Sequence, residues 1–220
     1  MLLLGIDTCG PSGSVALGRL ADNSAEILAQ TLLEGRTYSA TLVSAIQDLL
    51  AAHQLRLTHI GCIVVVHGPG SFTGVRVGLS AAKGLAEGAR LPLAAVSRLA
   101  VLAHKAGVPS AALDAHRHEV FLRIADGAEQ GRELLAGAAG LAAIPPRHPI
   151  AVCDDPAVAL VTQVWPAVVL VRVSPPTAAD ALALAAAGIH AGNFADPALL
   201  DGHYLRRSDA EIFGNVVGRS

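Results

Sequence analysis

An α/β fold with a mixed sheet is predicted by three observations. Apolar runs of strand length alternate with segments of helical period, in the order β-β-β-α-β-α-β-α and then β-β…α. Apolar residues make up 52% of the 220 residues while aromatics make up only 3%. The core material is therefore Ala, Leu and Val, which suits helices laid closely on sheets. The run Ile63 to Val66 also drives into a turn holding Gly68, Pro69, Gly70 and Gly74, from which a helical pattern leaves at Val75. The chain length accommodates one large domain or two small ones.

Leu2 to Ile6 reads as a buried strand and Ser14 to Leu20 as its hairpin partner. The turn between them is Asp7-Thr8-Cys9-Gly10-Pro11-Ser12-Gly13. A third strand is expected at Ala25 to Leu32. From Ser39 to His53, apolar residues at Leu42, Val43, Ile46, Leu49 and Leu50 repeat with a helical period. Ile60 to Val66 is unbroken in its apolar content, as a strand covered on both faces must be. Val75 to Glu87 follows as a helix whose small residues Gly78, Ala81, Ala82 and Gly84 permit a close neighbour. Leu93 to Val96 is a short strand, and Ser97 caps a helix through Lys105.

The chain breaks at Ala106 to Pro109, which divides it into an N-terminal lobe, 1–106, and a smaller C-terminal lobe, 107–220. In the second lobe, strands are expected at Ala111 to Asp114, Glu119 to Ala125, Ile150 to Cys153 and Val168 to Val171. Thr177 caps an Ala-rich helix to Ala191. The Gly- and Ala-rich tract Gly127 to Ala143 is compatible with a loop or a weakly patterned helix.

The formal charge is −2 and no basic run occurs, so binding to nucleic acid by charge alone is disfavoured. Cys9, Cys62 and Cys153 are widely spaced and odd in number, as expected for reduced thiols in a cytoplasmic protein. The start, M-L-L-L-G-I-D, lacks the charged region of a signal peptide. No uninterrupted apolar run has the length of a membrane span.

Several chemistries can be weighed on motif grounds. Asp7 at the end of the first strand, with Thr8 and the Gly-Ser turn, could hold a phosphate and its Mg²⁺ through water, or could simply bond local amides. The turn Gly68 to Gly74 is no P-loop, because Val75 stands where the lysine belongs. Its G-x-G-x-x-x-G spacing is not the dinucleotide fingerprint either. It is a specialised turn or a contact for an anion or partner. His118-Glu119 lacks the second histidine of H-E-x-x-H, since Leu122 occupies that place, and no third ligand joins His116 and His118. No G-x-S-x-G elbow occurs. Asp154-Asp155-Pro156 reads as a loop leading into a helix.

Leu4 to Thr8, Gly13 to Leu17, the block His67-Gly68-Pro69-Gly70-Ser71-Phe72-Thr73-Gly74-Val75-Arg76-Val77-Gly78, Ala82 to Ala86, Asp114 to Phe121 and Tyr204-Leu205-Arg206 resemble the TsaB (YeaZ) family. The resemblance is strong to about residue 121 and thin from about 125 to 200. It implies the two-lobed actin/Hsp70/sugar-kinase fold. It also implies a non-catalytic partner of TsaD, the enzyme that moves a threonylcarbamoyl group from its adenylate to adenosine 37 of tRNAs reading codons that begin with A. The ATPase TsaE would join them, tRNA would be met only indirectly, and no membrane is involved. Arg76, Lys83 and Arg90 read as solvated helix charges, with contact to tRNA as the alternative. Without TsaD, the docking face is expected to form a homodimer.

On this resemblance, the two helices flanking the glycine turn would dock through Leu42, Val43, Ile46, Leu49, Val75, Leu79 and Ala82. Gly68, Pro69, Gly70 and Gly74 would set the exit angle of the Val75 helix. The catalytic relative carries H-x-x-x-H where this chain has Ser97 and Val101, and valine binds no metal. No cofactor is expected. Asp7, Thr8 and Ser14 would be remnants of a nucleotide site, with weak nucleotide binding at the TsaD junction left open. The alternatives are a small-molecule or nucleotide kinase, with Asp114 as its one well-placed carboxylate, and a metal-dependent glycoprotease, disfavoured by the missing ligands.

Overall fold

The computed structural model describes residues 1–35, 37–125, 131–146 and 149–206. A single chain order is run through twice. In the first half, β1 (Leu2–Asp7), β2 (Ser12–Ala21) and β3 (Ser24–Glu34) form an antiparallel meander, followed by α1 (Tyr38–Ala52). Then come β4 (Ile60–Val66), α2 (Phe72–Ala89), β5 (Leu93–Val96) and α3 (Arg98–Ala106). β4 lies parallel to β1 and β5 parallel to β4, so the sheet order is β3-β2-β1-β4-β5.

The second half has the same plan. β6 (Ser110–Asp114), β7 (Glu119–Ile124) and β8 (Arg132–Gly137) make the meander, and α4 (Ala138–Ala142) follows. β9 (Ile150–Val152), α5 (Asp155–Val164), β10 (Leu170–Arg172) and α6 (Ala178–His190) complete it. β9 is parallel to β6 and β10 to β9, giving the order β8-β7-β6-β9-β10. This duplicated plan is the two-lobed actin/Hsp70/sugar-kinase architecture.

The layers follow from which side chains each strand sends to which face. Leu4, Ile6, Ile63 and Val65 meet Leu42, Ile46 and Leu49 of α1 and Leu79 and Ala82 of α2 on the outer face of the first sheet. Leu3, Ala16, Cys62 and Val64 alternate to the inner face, where α6 covers them with Ala178, Ala181, Leu182 and Ala185. The second sheet packs Leu122, Ile150 and Val152 under α4 and α5. Its inner face, Ala111, Leu113 and Ala151, lies under Leu99, Leu102 and Ala103 of α3. Each half therefore ends in a helix that covers the other half's sheet. The Lys105 ammonium ties these two helices together through Asp180 at 2.8 Å and the Pro175 carbonyl at 3.1 Å.

Across the 106/107 boundary, α6 of the second half packs on the first sheet. Two expectations are corrected. α2 begins at Phe72, three residues before the predicted Val75, with Ser71 capping the Gly74 amide. The tract beyond residue 131 is a strand followed by a short helix. β8 is an edge strand with only Ala136 fully buried, so it carries little apolar alternation to read. The tract before residue 131 lies outside the described residues.

Candidate functional site

The carboxyl ends of β1, β4, β6 and β9 point into one cleft between the sheets, with a cavity of about 1110 Å³. Its floor and walls come from both meander hairpins, Cys9 to Ser12 and Asp114 to Arg117. The glycine turn, Asp154 and the segment His203 to Arg206 close it. A helix follows each parallel strand, so helix starts gather here: Ser71 to Thr73 of α2, Arg98 of α3 and the Asp154 cap of α5 all line the cavity.

Asp7 and Asp114 occupy matching places in the two halves and bond alike. Asp7 Oδ1 accepts from the Cys9 amide and Asp114 Oδ1 from the His116 amide, both at 2.8 Å. They differ in burial. Asp7 is wholly enclosed; burial pushes its carboxyl above the usual range, opposed by the Arg98 charge. Thr8 donates to the Gly74 carbonyl at 2.6 Å. Ser14 accepts the first amide of α6, Ala178 N, at 2.8 Å. None of Asp7, Thr8 and Ser14 lines the cleft. Thr8 and Ser14 fasten α2 and α6 to the first sheet, while Asp7 fixes its own hairpin turn.

The glycine turn is built for close approach. A Cβ on Gly74 would overlap the Thr8 carbonyl, so only glycine lets α2 start against the first hairpin. Gly68 has φ 114°, Pro69 follows it, and Gly70 lies against the Cys9 carbonyl. The Ser71 amide donates to that same carbonyl at 2.8 Å.

The predicted docking residues are also corrected. Leu42, Ile46, Leu49, Val75, Leu79 and Ala82 are all buried in this chain's own core; only Val43 is exposed, at 51%. The apolar stripes of α1 and α2 are used up in covering the first sheet. The outward ridge of α2 runs through Phe72, Arg76, Ser80, Gly84 and Gly88, all exposed. Among the described residues, a Cβ on Gly84 or Gly88 would meet nothing within 4 Å.

Sequence reasoning passed over Glu133. On the second sheet's edge, its buried carboxylate accepts from Ser97 Oγ at 2.6 Å and from Arg123 at 3.1 Å, and lies 2.8 Å from His203 Nε2. Burial alone would raise its pKa; the bonds from His203 and Ser97 and the Arg123 contact outweigh it and hold the carboxyl below its ordinary value. The His203 amide donates to the His67 carbonyl at 2.7 Å, and Arg206 pairs with Glu119. The late segment thus straps the cleft from the first sheet to the second hairpin. Glu133 lies in a tract with no motif, so no signal in the sequence marks it.

The family model described as TsaD: tRNA N6-adenosine threonylcarbamoyltransferase matches residues 26–152. The tRNA threonylcarbamoyladenosine biosynthesis protein TsaB of Escherichia coli (strain K12) is 38% identical over 127 residues, 55% of this chain and 53% of that protein. The crystal structure of YeaZ from Pseudomonas aeruginosa superposes with a TM-score of 0.73 at 26% identity, covering 92% of this chain and all of that one. The chain belongs to the TsaB/YeaZ family. An uncharacterized Mycobacterium tuberculosis (strain H37Rv) protein is 30% identical over 213 residues, 95% of this chain and 93% of its own length. The chain spans about half the length of the curated TsaB relatives it matches, 52% in Haemophilus influenzae and 53% in Bacillus subtilis.

At the start of α3, this TsaB-family chain commits Ser97 to Glu133 and to capping Leu99 and Ala100. Val101 is fully buried. Among the described residues no three His, Cys, Asp or Glu side chains are grouped to hold a metal, and no helix is long and apolar enough to cross a membrane.

Proposed function

We propose that this chain is the non-catalytic platform subunit of a TsaD-type enzyme that adds threonylcarbamoyl to adenosine 37 of tRNA. The observation that carries the reading is the start of α3. Ser97 is spent on Glu133 and on its helix cap, and Val101 is packed in the core, so neither offers a ligand for a metal-bound acyl carrier. The TsaB names of the relatives supply the pathway. Asp7, enclosed and already bonded, is poorly placed to hold Mg²⁺ for a kinase. TsaE association, indirect contact with tRNA and a cytoplasmic location belong to the same reading.

The docking surface in this proposal is the outward side of α1 and α2, not the apolar stripe. Exposed glycine inside a helix costs about 1 kcal/mol relative to alanine. Among the described residues, Gly84 and Gly88 have no contact that explains that cost. A partner helix seated on the Ser80, Gly84 and Gly88 ridge, beside Val43 of α1, gains close backbone approach there. The same ridge forms the homodimer when TsaD is absent.

The test is capture of the TsaD from the same organism by the intact chain. Wild-type protein is expected to exchange homodimer for heterodimer on size exclusion. Gly84→Arg is expected to weaken capture at least about thirtyfold, as loss of a central contact of about 2 kcal/mol does. It leaves the fold intact, because the side chain enters open space. Failure of the wild type to bind TsaD overturns the function; full capture by Gly84→Arg overturns only the surface.

A further inference from the structure

We propose that the cleft between the sheets binds a small molecule through a single oxyanion, a phosphate or a carboxylate, seated on the Arg98 guanidinium. This goes beyond the platform role and does not depend on it.

Arg98 is the first residue of α3 and is 93% buried, at 7% exposure. Its guanidinium lies against Gly10, where any Cβ would overlap a terminal nitrogen, and it lines the cavity. Nε is buried without a partner, and among the described residues the guanidinium has no hydrogen bond or ion pair. Arginine cannot shed its proton, and it carries five donors in a planar fork. A buried cation left unpaired is costly, which gives an incoming oxyanion a strong advantage over water.

The carboxylates nearby do not fill this role. Asp7 acts on Arg98 through space and has its Oδ1 on the Cys9 amide. Asp154 accepts from the Asp114 and Ala157 amides at 3.1 and 2.8 Å. Asp114 accepts from the His116 amide and lies 2.9 Å from the His116 ring.

A second observation points the same way. The N-terminal ends of α2 and α3, capped by the neutral side chains of Ser71 and Ser97, converge on this cavity and add positive potential. The cavity is far larger than an ion, and Val77, Leu113 and Phe121 supply apolar wall. A ligand with an apolar body and one charged end fits it. Asp114 and Asp154 stand on the second-sheet wall and disfavour a chain of phosphates.

Two probes with the same apolar body separate the sources of the oxyanion. Phenyl phosphate and benzoate are titrated calorimetrically into the full chain, against chloride at matched ionic strength. Saturable binding of at least one is expected, and the preference between them assigns phosphate or carboxylate. Arg98→Met keeps the stem without the charge and should weaken binding at least about tenfold. Asp114→Asn keeps the turn acceptor but removes a negative wall charge, and should tighten binding several-fold. The proposal is overturned by no saturable binding to the wild type, or by equal binding to folded Arg98→Met. If Arg98→Met does not fold, unchanged affinity in Asp114→Asn overturns it.

Discussion

Glu133 sits where three parts of the chain meet. Ser97 begins α3, Arg123 comes from the neighbouring strand and His203 from the late strap, and all three meet one carboxylate that is 7% exposed. Glu133→Gln leaves Arg123 without its counter-charge and is expected to cost about 3 kcal/mol, read as a drop in the urea midpoint. The pH dependence has a fixed sign. The folded carboxyl titrates below its ordinary 4.5, so the stabilisation is complete above that pH and is lost as pH falls through the folded value. Wild-type stability should fall more steeply than that of Glu133→Gln below pH 4.5; parallel curves would remove Glu133 from the acid response. His67 acts in the same direction at higher pH. Burial holds its ring below the ordinary 6.5, so acidification through that range penalises the folded state.

At the scale of elements, α2 contrasts two kinds of glycine. Gly74 is pressed against the Thr8 carbonyl at the helix start, whereas Gly84 faces open space. Gly74→Ala is expected to destabilise by more than 2 kcal/mol, roughly the cost of forcing a backbone shift in a packed site. Gly84→Ala should stabilise the isolated chain by about 0.5–1 kcal/mol while weakening TsaD capture. Thermal melts of the two variants check the pair; a melting temperature raised by Gly74→Ala would contradict the packing described. The element pattern was largely legible. Ser97 and Thr177 were read as caps from residue type, and both accept the amides that role requires. The start of α2 was misplaced because Gly74 lies inside its first turn, and glycine is a weak helix signal. The apolar stripes of α1 and α2 lie on one buried face except for Val43, which points outward. Periodicity reports that a face is buried, not whether its own sheet or a partner buries it.

For the whole molecule, the exchange of α3 and α6 makes the two halves interdependent. A fragment of residues 1–106 leaves the inner face of the first sheet bare, because Leu3, Ala16, Cys62 and Val64 lose the cover of α6. It is expected to be unfolded or aggregated, and a chain ending before α6 likewise. A well-dispersed NMR spectrum from the 1–106 fragment would refute this. By the same reasoning the full chain should unfold in one cooperative transition, with fluorescence of the single Trp165 in the second half tracking the circular dichroism of the whole.

The sequence by itself determined the family, the α/β class, most strand and helix positions and the caps. These depend on local period, residue type and short motifs, and they are written in contiguous residues. Only the tertiary structure decided that α6 crosses to the first sheet and that Thr8 and Ser14 fasten α2 and α6 to it. It also decided that the docking stripe apart from Val43 is core, that Arg98 lines the cleft, and that Glu133 joins Ser97, Arg123 and His203. Each of these turns on residues tens of positions apart being brought within bonding distance. Ser14 and Ala178, separated by 164 positions, make one hydrogen bond, and no local pattern in either segment encodes the other.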